Sequence, residues 1–301
     1  DGHISSLPTR PEVCAQCLGE ERRRYRWLGR LLPGTMRRYW SHQDAAIHRI
    51  EDRSRFLLDA LNTARVVISP SHFLRKLHIE AGVAPSRIRF SRQGRDFPQL
   101  TPDKLVKARS DRLRIGYIGQ VAELKGIHVI LEAAQQLPKA NLTVSVFGDL
   151  APFPRYAARL QEMAAHDPRV TLAGPYRGHD ELARVFQELD VIVVPSLWYE
   201  NSPNAILEAF AHKTPVLATR LGGMAELVDH DVNGLLFTAG DARDLAAQLQ
   251  RLIDEPELLG RLRQGIPPVR GQGSEIDELE SIYHESVASP LPELATHTGR
   301  S

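Results

Sequence analysis

The sequence has few residues that could cross-link the chain. Its 301 residues include two cysteines, Cys14 and Cys17, which is too few for the disulfide framework of a small secreted domain. The Cys-x-x-Cys spacing also occurs in redox pairs and as half of a zinc site, which would need two further ligands. We expect two free cysteines in a cytosolic protein, and the redox and zinc interpretations stay open.

Several other patterns are missing. No run of 18 apolar residues is present, so no transmembrane helix is predicted. No Gly-x-Gly-x-x-Gly is present, which argues against a nicotinamide dehydrogenase, and no Ser or Cys triad is evident. Asp229 and Asp231 have the Asp-x-Asp spacing, but they precede a turn at Asn233-Gly234 where we expect surface. We therefore expect a site without a metal ion or cofactor. No signal peptide is visible in the sequence, which begins with Asp1 and not with methionine. We expect the chain to be a fragment, a processed product or the ordered part of a longer protein.

Charge is divided unevenly along the chain, although the net charge is +1. Residues 1–110 carry 21 Lys and Arg against 11 Asp and Glu, whereas residues 111–301 carry 17 against 26. The basic excess is densest between Glu20 and Trp40, where arginines alternate with Trp, Tyr and Leu. This segment suits an anionic membrane surface or a lipid-diphosphate acceptor, or it is a helix with solvated arginines. Stacking on nucleic acid is a third interpretation, and we predict no nucleic-acid partner.

Short apolar segments alternate with helical patterns along most of the chain. The predicted strands span residues 64–69, 86–91, 114–119, 142–147, 169–174, 191–195, 214–219 and 233–237. Alternation of strands and helices over about 150 residues indicates an α/β fold with a doubly wound parallel sheet. In that architecture ligands bind beyond the carboxyl ends of the strands. Gly119, Gly148 and the tight Gly222-Gly223 pair fall at those ends, as does Lys125.

Two carboxylates, Glu200 and Glu208, flank a predicted helix start directly after a strand. Ser202 is a favourable N-cap and Pro203 fits the first helical position, so we expect a helix from about Pro203 to Ala211. Its free N–H groups and positive dipole end suit an anion such as a diphosphate. The carboxylates could accept hydrogen bonds from sugar and ribose hydroxyls. The alternative is a surface glutamate followed by one on a helix flank.

A second anion site is predicted in the loop after residues 114–119. Gly119 ends this strand, Gln120 follows, and Lys125 precedes an apolar helix over residues 127–137. A glycine loop, a lysine and a helix start after a strand can cradle a phosphate. A solvated loop lysine is the alternative.

Together these motifs resemble the retaining, GT-B-type glycosyltransferases of family 4, also called glycosyl transferases group 1. The resemblance covers roughly residues 60–287. It rests on the Glu-x7-Glu motif, the loop from Gly119 to Gly126, and the order of Gly148-Asp149, Pro195-Ser196 and Gly222-Gly223. It implies two Rossmann-like domains facing a cleft, with the N-terminal one partial in this chain. It also implies a nucleotide-sugar donor bound without a metal and transfer with retention.

By this resemblance Lys125 binds the donor diphosphate, Glu200 faces the donor sugar and Glu208 binds the ribose. Lys125 and Glu200 are accordingly the expected catalytic residues. The implied donor-binding residues are Gly119, Gln120, Lys125, Gly148, Asp149, Glu200, Asn201, Ser202, Pro203, Asn204, Ala205, Glu208, Gly222 and Gly223. The family usually has arginine where this sequence has Gln120, which donates hydrogen bonds but carries no charge. Lys125 would then carry most of the diphosphate charge, aided by Arg220 or the helix dipole.

The resemblance also divides the chain into segments. We expect a partial N-terminal, acceptor-side domain (1–97), a linker (98–111), a nucleotide-sugar-binding domain (112–272), a helix packing back on the N-terminal domain (273–287) and a disordered tail (288–301). Gln93-Gly-Arg-Asp96 resembles the family's interdomain crossover, usually Asn-Gly-Val-Asp. The family's early glycine loop and histidine have no match here, although His3 lies near the expected place. The last helix is expected to be amphipathic, with Ile276, Leu279, Ile282 and Tyr283 on its apolar face.

The sequence therefore predicts a retaining hexosyltransferase that moves a sugar from a UDP- or GDP-linked donor to a glycan or lipid-linked acceptor. We expect a role in cell-envelope polysaccharide biosynthesis, in the cytoplasm or peripherally on the inner face of the membrane. Two alternatives stay open. One is a GT-B nucleotide-sugar epimerase, which needs no acceptor. The other is a non-catalytic nucleotide-sugar binding module, which a partial N-terminal domain would fit.

Overall fold

The computed structural model describes residues 14–16, 27–29, 31–97 and 100–288, which form two compact units. The small unit comprises residues 14–16, 27–29, 31–69, 74–90 and 280–288. The large unit comprises residues 70–73, 91–97 and 100–279. Cys14 is a free thiol, whereas Cys17, His3, much of the basic segment and the tail after Ala288 lie outside the described residues. None of the described helices is long and apolar enough to cross a membrane.

Helices dominate the small unit. In chain order the elements are α1 (Pro33–Trp40), α2 (Asp44–Thr63), β1 (Val67–Ser69), α3 (His72–Glu80) and β2 (Ile88–Phe90). Strands β1 and β2 pair in parallel, with Val67 opposite Ile88. Met36 and Trp40 of α1 pack with Ala15, whereas none of the residues of α2 is buried. The predicted strands are present here, and both are shorter than predicted.

Six parallel strands and the helices between them form the large unit. The strands are β3 (Leu113–Ile118), β4 (Leu142–Phe147), β5 (Val170–Gly174), β6 (Val191–Val194), β7 (Val216–Thr219) and β8 (Gly234–Phe237). The helices are α4 (Ile127–Gln135), α5 (Pro154–Ala165), α6 (Gly178–Gln187), α7 (Asn204–Ala211), α8 (Met224–Leu227), α9 (Ala242–Asp254), α10 (Leu258–Gln264) and α11 (Gln272–Ala288). Short 3-10 turns lie at Pro102–Leu105 and Glu123–Lys125. The division between the two units falls inside α3 and inside α11.

The strand order of the large sheet is β5-β4-β3-β6-β7-β8. From β3 the sheet grows through β4 and β5 on one side and through β6, β7 and β8 on the other. Strands β3 and β6 are therefore neighbours, with Ile115 opposite Val191. This reversal is the topological switch point of a doubly wound sheet, where the loops at the carboxyl ends leave a crevice. The predicted α/β class and parallel sheet are confirmed.

Alternation along the strands separates two hydrophobic cores. In β6, Val191 and Val193 belong to one core and Ile192 and Val194 to the other, because successive side chains of a strand point to opposite faces. Helices α4 and α9 cover the first core, and α6 and α7 cover the second. The sheet is thus buried on both faces, which leaves its edges and carboxyl ends for ligands.

The last helix departs from its predicted amphipathic pattern. Ile282 is buried, but Ile276 and Tyr283 are 46% and 69% exposed. Carboxylates make the specific contacts instead: Glu278 accepts from Ser91 Oγ at 2.7 Å, and Glu285 pairs with Arg89. Charge-assisted hydrogen bonds of this kind are stronger than neutral ones and do not appear in a hydrophobic pattern.

Candidate functional site

The loops that follow β3 and β6 lie against each other at the switch point. Leu197 N donates to the Leu124 carbonyl at 2.8 Å, and Ser196 Oγ donates to the same oxygen at 3.3 Å. Gly126 has φ 70°, and a Cβ there would overlap the carbonyl oxygen of Pro195. Only glycine combines this left-handed backbone with so close an approach. The two loops are therefore fixed relative to each other by main-chain contacts.

The two predicted catalytic side chains, Lys125 and Glu200, form an ion pair. Ser196 Oγ donates to the same carboxylate oxygen of Glu200 at 3.0 Å. The side chains of Lys125 and Glu200 are 33% and 19% exposed, so the pair is held in place yet open to solvent. The pairing itself was not predicted. It means that an arriving diphosphate would compete with Glu200 for the lysine.

Helix α7 begins one residue later than predicted. Pro203 has φ −65° and ψ 120°, and its carbonyl accepts the first helical hydrogen bond from Ile206 N at 3.0 Å. Pro203 is therefore the N-cap, and the prediction that Ser202 caps the helix with Pro203 at its first position is wrong. With Pro203 extended, Ser202 lies one residue too far from the first turn to cap it. The Ser202 hydroxyl is buried and has no hydrogen-bond partner among the described residues. In the first turn Asn204 is exposed and Ala205 is half-buried.

The Gly222-Gly223 loop lies on the backbone of the segment that carries Glu200. Gly223 N donates to the Glu200 carbonyl at 2.7 Å, and a Cβ on Gly223 would overlap the Asn201 carbonyl oxygen. Gly222 has φ 51°, in the left-handed region that favours glycine. The close backbone approach predicted for this pair is confirmed. It fixes the backbone of Glu200 and of exposed Asn201.

Gly119 and Gly148 meet at the carboxyl ends of β3 and β4. A Cβ on Gly148 would overlap the Gly119 carbonyl oxygen. The next residue, Gln120, is exposed, and its carbonyl accepts from the Tyr117 hydroxyl at 2.7 Å. Burial raises the pKa of Tyr117, and the charge of Glu200 adds to that rise. Glu200 is thus within electrostatic reach of this loop.

Two further charged residues of the expected site, Asp149 and Arg220, are exposed at the surface. Asp149 is exposed, and its carboxylate accepts from Ala151 N at 2.9 Å. Arg220 is exposed as well. Although burial opposes it, hydrogen bonds from Thr238 and the charge of Arg220 lower the pKa of Asp244.

Glu208 lies in the buried part of α7 and is only 5% exposed. Arg95 Nη2 pairs with Glu208 Oε1 at 2.9 Å. Burial raises the pKa of the Glu208 carboxyl, and the charges of Arg95 and His179 act in the opposite direction. The sequence analysis included Arg95 only within the Gln93–Asp96 segment and did not predict a role for it. Its charge could have indicated one, because the resembled pattern has valine at this position.

Metal-binding geometry is missing from the described residues. No three His, Cys, Asp or Glu side chains in residues 14–16, 27–29, 31–97 and 100–288 lie close enough to hold an ion. Asp231, from the Asp-x-Asp pair, instead binds Arg251 at 2.8 Å. Donor binding without a metal stays a prediction.

The sheet order defines a doubly wound α/β protein with a crevice at its switch point, and solved structures show which fold of that class it has. A glycosyltransferase from Rickettsia africae matches with a TM-score of 0.69, at 20% identity, over 79% of this chain and 67% of that one. HepE from Anabaena, solved with UDP and glucose, matches with a TM-score of 0.68, at 22% identity, over 77% and 66%. The fold is therefore of the GT-B type, as predicted.

Sequence relatives specify the family. Residues 112–255 match the family model described as glycosyl transferases group 1. The D-inositol 3-phosphate glycosyltransferase of Pseudarthrobacter chlorophenolicus is 32% identical over 69% of this chain and 50% of its own length. The putative colanic acid biosynthesis glycosyltransferase WcaL of Escherichia coli K12 is 31% identical over 71% and 53%. The chain belongs to the glycosyl transferases group 1, and it spans about half the length of the curated relatives it matches.

Proposed function

We propose that this chain transfers a sugar, with retention, from a nucleoside-diphosphate sugar to a glycan or lipid-linked acceptor. One observation carries the proposal: Lys125 and Glu200 form a partly exposed pair at the switch point of the sheet, next to the start of α7. Cations and free helix N–H groups bind diphosphates, and this crevice is where doubly wound folds bind nucleotides. The UDP named for HepE favours a UDP-linked donor over a GDP-linked one.

The proposed roles follow from charge and position. Lys125 and the N-terminus of α7 stabilise the diphosphate as the sugar–phosphate bond breaks. Negative charge grows on the leaving group during that step, so the stabilisation acts on the transition state. Glu200 accepts a hydrogen bond from Ser196 Oγ, which orients its carboxylate, and Glu200 positions the donor sugar. Glu208 accepts hydrogen bonds from the ribose hydroxyls.

The backbone supplies the remaining donor contacts in this proposal. Glycine at positions 119, 148, 222 and 223 lets neighbouring parts of the protein approach the main chain closely, and we propose that this packing holds the main-chain donors of the loops around the ligand. The Ser202 hydroxyl is buried without a partner among the described residues, so a phosphate or sugar oxygen could satisfy it. Asn204 and Ala205 present the first-turn N–H groups of α7, and Gln120 is exposed at the opposite loop.

The acceptor and location are proposed from chemistry and relatives. The relatives' names include a glycosyltransferase for an inositol phosphate and one for a surface polysaccharide, which fits an acceptor of the cell envelope. In the small unit, Leu31, Leu32, Arg37 and Arg38 are all exposed and lie close together in the sequence. Apolar and basic side chains together suit an anionic lipid surface. We therefore propose that the protein acts in the cytoplasm, at the inner face of a membrane.

The first test is a thermal-shift and calorimetric screen of the chain against UDP, GDP, ADP and their glucose conjugates. A ligand that binds only the folded state raises stability by mass action, by about 2.7 kcal/mol at a hundredfold excess over Kd. We expect one nucleotide to stabilise the chain. Lys125→Ala should lower the affinity for that nucleotide about tenfold or more. A chain that responds to none of them would contradict both transfer and donor binding.

Product analysis separates the alternatives once a nucleotide binds. Transfer to an acceptor, with the anomeric configuration of the donor kept in the product, supports the proposal. Conversion of the donor to an epimer without acceptor would identify an epimerase. Donor binding without transfer or hydrolysis by the full-length protein would identify a binding module.

A further inference from the structure

Glu208 is the most deeply buried carboxylate of the candidate site, and a cation accompanies it. Its side chain is 7% exposed, and Arg95 Nη2 lies 2.9 Å from Oε1. A carboxylate removed from water without a partner takes up a proton rather than stay charged. A carboxylate has about four lone-pair positions, so one bond from Arg95 leaves acceptor capacity for hydroxyl groups of a ligand.

The backbone around Arg95 is fixed by the segment before α11. Arg95 N donates to the Arg270 carbonyl at 2.7 Å. Gly94 N donates to Glu275 Oε2 at 2.9 Å, and Asp96 Oδ1 accepts from Gln272 N at 2.8 Å. These three bonds clamp residues 94–96 to the start of α11. The arginine side chain therefore leaves a fixed point of the backbone, and its direction toward Glu208 is set by the fold.

The arginine side chain itself is 30% exposed, so part of its guanidinium faces solvent. Its central carbon lies 6.0 Å from the centre of the Phe97 ring, at the outer limit of a cation–π contact. A guanidinium has five N–H donors, and the ion pair with Glu208 uses only part of them.

We propose that Arg95 is a positioning residue of the nucleotide site, which ion-pairs with buried Glu208 and holds that carboxylate ionised and aimed at the ribose hydroxyls. The inference rests on the proposed function, because it takes Glu208 as the ribose ligand. It adds a residue from outside the matched family region, since the match begins at residue 112. A donor nucleotide would thus be recognised jointly by α7 and by the 94–96 segment.

The charges that face Glu208 come from three elements. Arg95 belongs to the 94–96 segment, His179 lies in α6, and half-buried Tyr176 lies in the loop before α6. At the C-terminal end of α7, the capping residue His212 donates from Nδ1 to the backbone carbonyl of Glu208 at 2.7 Å. Arginine keeps its charge at every pH at which a protein is folded. Removing Arg95 therefore removes the permanent positive charge next to the carboxylate.

The expected consequence has a definite sign. Without Arg95, desolvation of Glu208 is opposed only by the weaker influence of His179, so the pKa of Glu208 rises further. The protonated fraction of Glu208 then grows as pH falls, and a neutral carboxyl accepts ribose hydrogen bonds more weakly. Nucleotide affinity of the variant should fall at acidic pH and recover at alkaline pH.

The experiment measures Kd by calorimetry between pH 5.5 and 8.5 for the tightest binder among UDP, GDP and ADP, and for its 2′-deoxy analogue. We expect Arg95→Met to bind the ribonucleotide about tenfold more weakly at the acidic end, with recovery toward the alkaline end. Its preference for the ribonucleotide over the deoxy analogue should shrink. Arg95→Lys, which keeps a positive charge, should restore most of the pH profile.

Two controls make the result specific. Arg251 is an ion-paired arginine of similar exposure, 32%, that binds Asp231 and Glu255. Arg251→Ala should leave the pH profile of Kd and the preference for the ribonucleotide unchanged. In a Glu208→Gln background, Arg95→Met should have no further effect on the ribose preference, because the group through which it acts is gone.

Each contrary outcome has one meaning. If the unmodified chain binds none of the three nucleotides, the proposed function fails and this inference fails with it. If the unmodified chain binds and Arg95→Met leaves the pH profile and ribose preference unchanged, the inference alone is overturned. A pH-independent loss that is equal for the ribonucleotide and the deoxy analogue would likewise overturn it, because it would show a structural role only.

Discussion

The large and small units differ in how far packing constrains the backbone. In the large unit all four residues of β6 and all four of β7 are buried. In the small unit one residue of three in β1 is buried, and α2 has none. The candidate site lies entirely in the large unit. A sheet that is buried on both faces fixes the ends of its loops, and such loops can hold ligand-binding groups in defined positions. Substitutions in the large unit should therefore have larger effects than matched substitutions in the small unit.

The largest effect is expected for an added methyl group at Gly223. In Gly223→Ala the new Cβ would overlap the Asn201 carbonyl oxygen, which belongs to the backbone directly after the Glu200 carbonyl that accepts from Gly223 N. The loop that carries Glu200 must then move, at a cost of ~3–5 kcal/mol in the free energy of unfolding. Urea or thermal unfolding measures the loss. The nucleotide response should disappear with it.

Gly34→Ala is the matched change in the small unit. Gly34 is in the first turn of α1, and among the described residues no heavy atom outside its chain neighbours and its own helix backbone lies within 4 Å of a Cβ built there. Alanine is the better helix former, so we expect stability to change by less than ~1 kcal/mol and to increase rather than fall. Equal losses for the two variants would remove the contrast between the units.

The second prediction separates binding from transfer at Glu200. Glu200→Gln keeps the shape of the side chain but removes the charge that now pairs with Lys125. Lys125 is then free for the diphosphate, so UDP affinity should stay equal or increase. Sugar transfer should fall about 100-fold, or roughly 3 kcal/mol, because the group that positions the donor sugar is lost. Steady-state kinetics and calorimetry on one preparation measure both effects.

The small unit offers a matched carboxylate for this test. Glu285 is also ion-paired, to Arg89, but both side chains are about half exposed. Exposed pairs contribute little, so Glu285→Gln should change neither affinity nor transfer measurably. A large fall in UDP affinity for Glu200→Gln, with transfer falling only in proportion, would contradict the division of roles between Glu200 and Glu208.

Much of this arrangement was predictable, and the reason is local. Strands β3 to β8 are short segments rich in apolar residues, and the backbone demands of Gly222-Gly223 follow from residue type alone. What sequence could not predict are contacts between side chains that lie far apart along the chain. The Lys125–Glu200 pair joins residues 75 positions apart, and Arg95 reaches Glu208 from another segment. The start of α7 at Asn204 was missed by one residue, because the extended backbone of Pro203 and the burial of the Ser202 hydroxyl depend on the surrounding fold.

The smallest predicted effect concerns Lys107, in the segment predicted as a linker. Its Nζ donates to the Phe186 carbonyl at 2.7 Å and to Thr214. Burial, reinforced by the charge of Arg263, lowers the pKa of Lys107 to about 7. Between that value and the ordinary lysine value the unfolded chain binds more protons than the folded one. Folding stability should therefore rise with pH above about 7, by on the order of 2 kcal/mol, and Lys107→Met should remove this rise.

Lys76→Met in the small unit is the control that completes the comparison. Lys76 pairs with Glu80 at 3.7 Å, and its side chain is 77% exposed. Such a surface pair contributes at most a few tenths of a kcal/mol, so its removal should leave the pH dependence of stability as it is in the unmodified chain. Denaturant unfolding at pH 7, 8 and 9 measures the free energy of unfolding of the unmodified chain, Lys107→Met and Lys76→Met. If Lys107→Met and Lys76→Met keep the same rise, Lys107 is not buried as a charge-sensitive group, and the packing of the large unit does not extend to this segment.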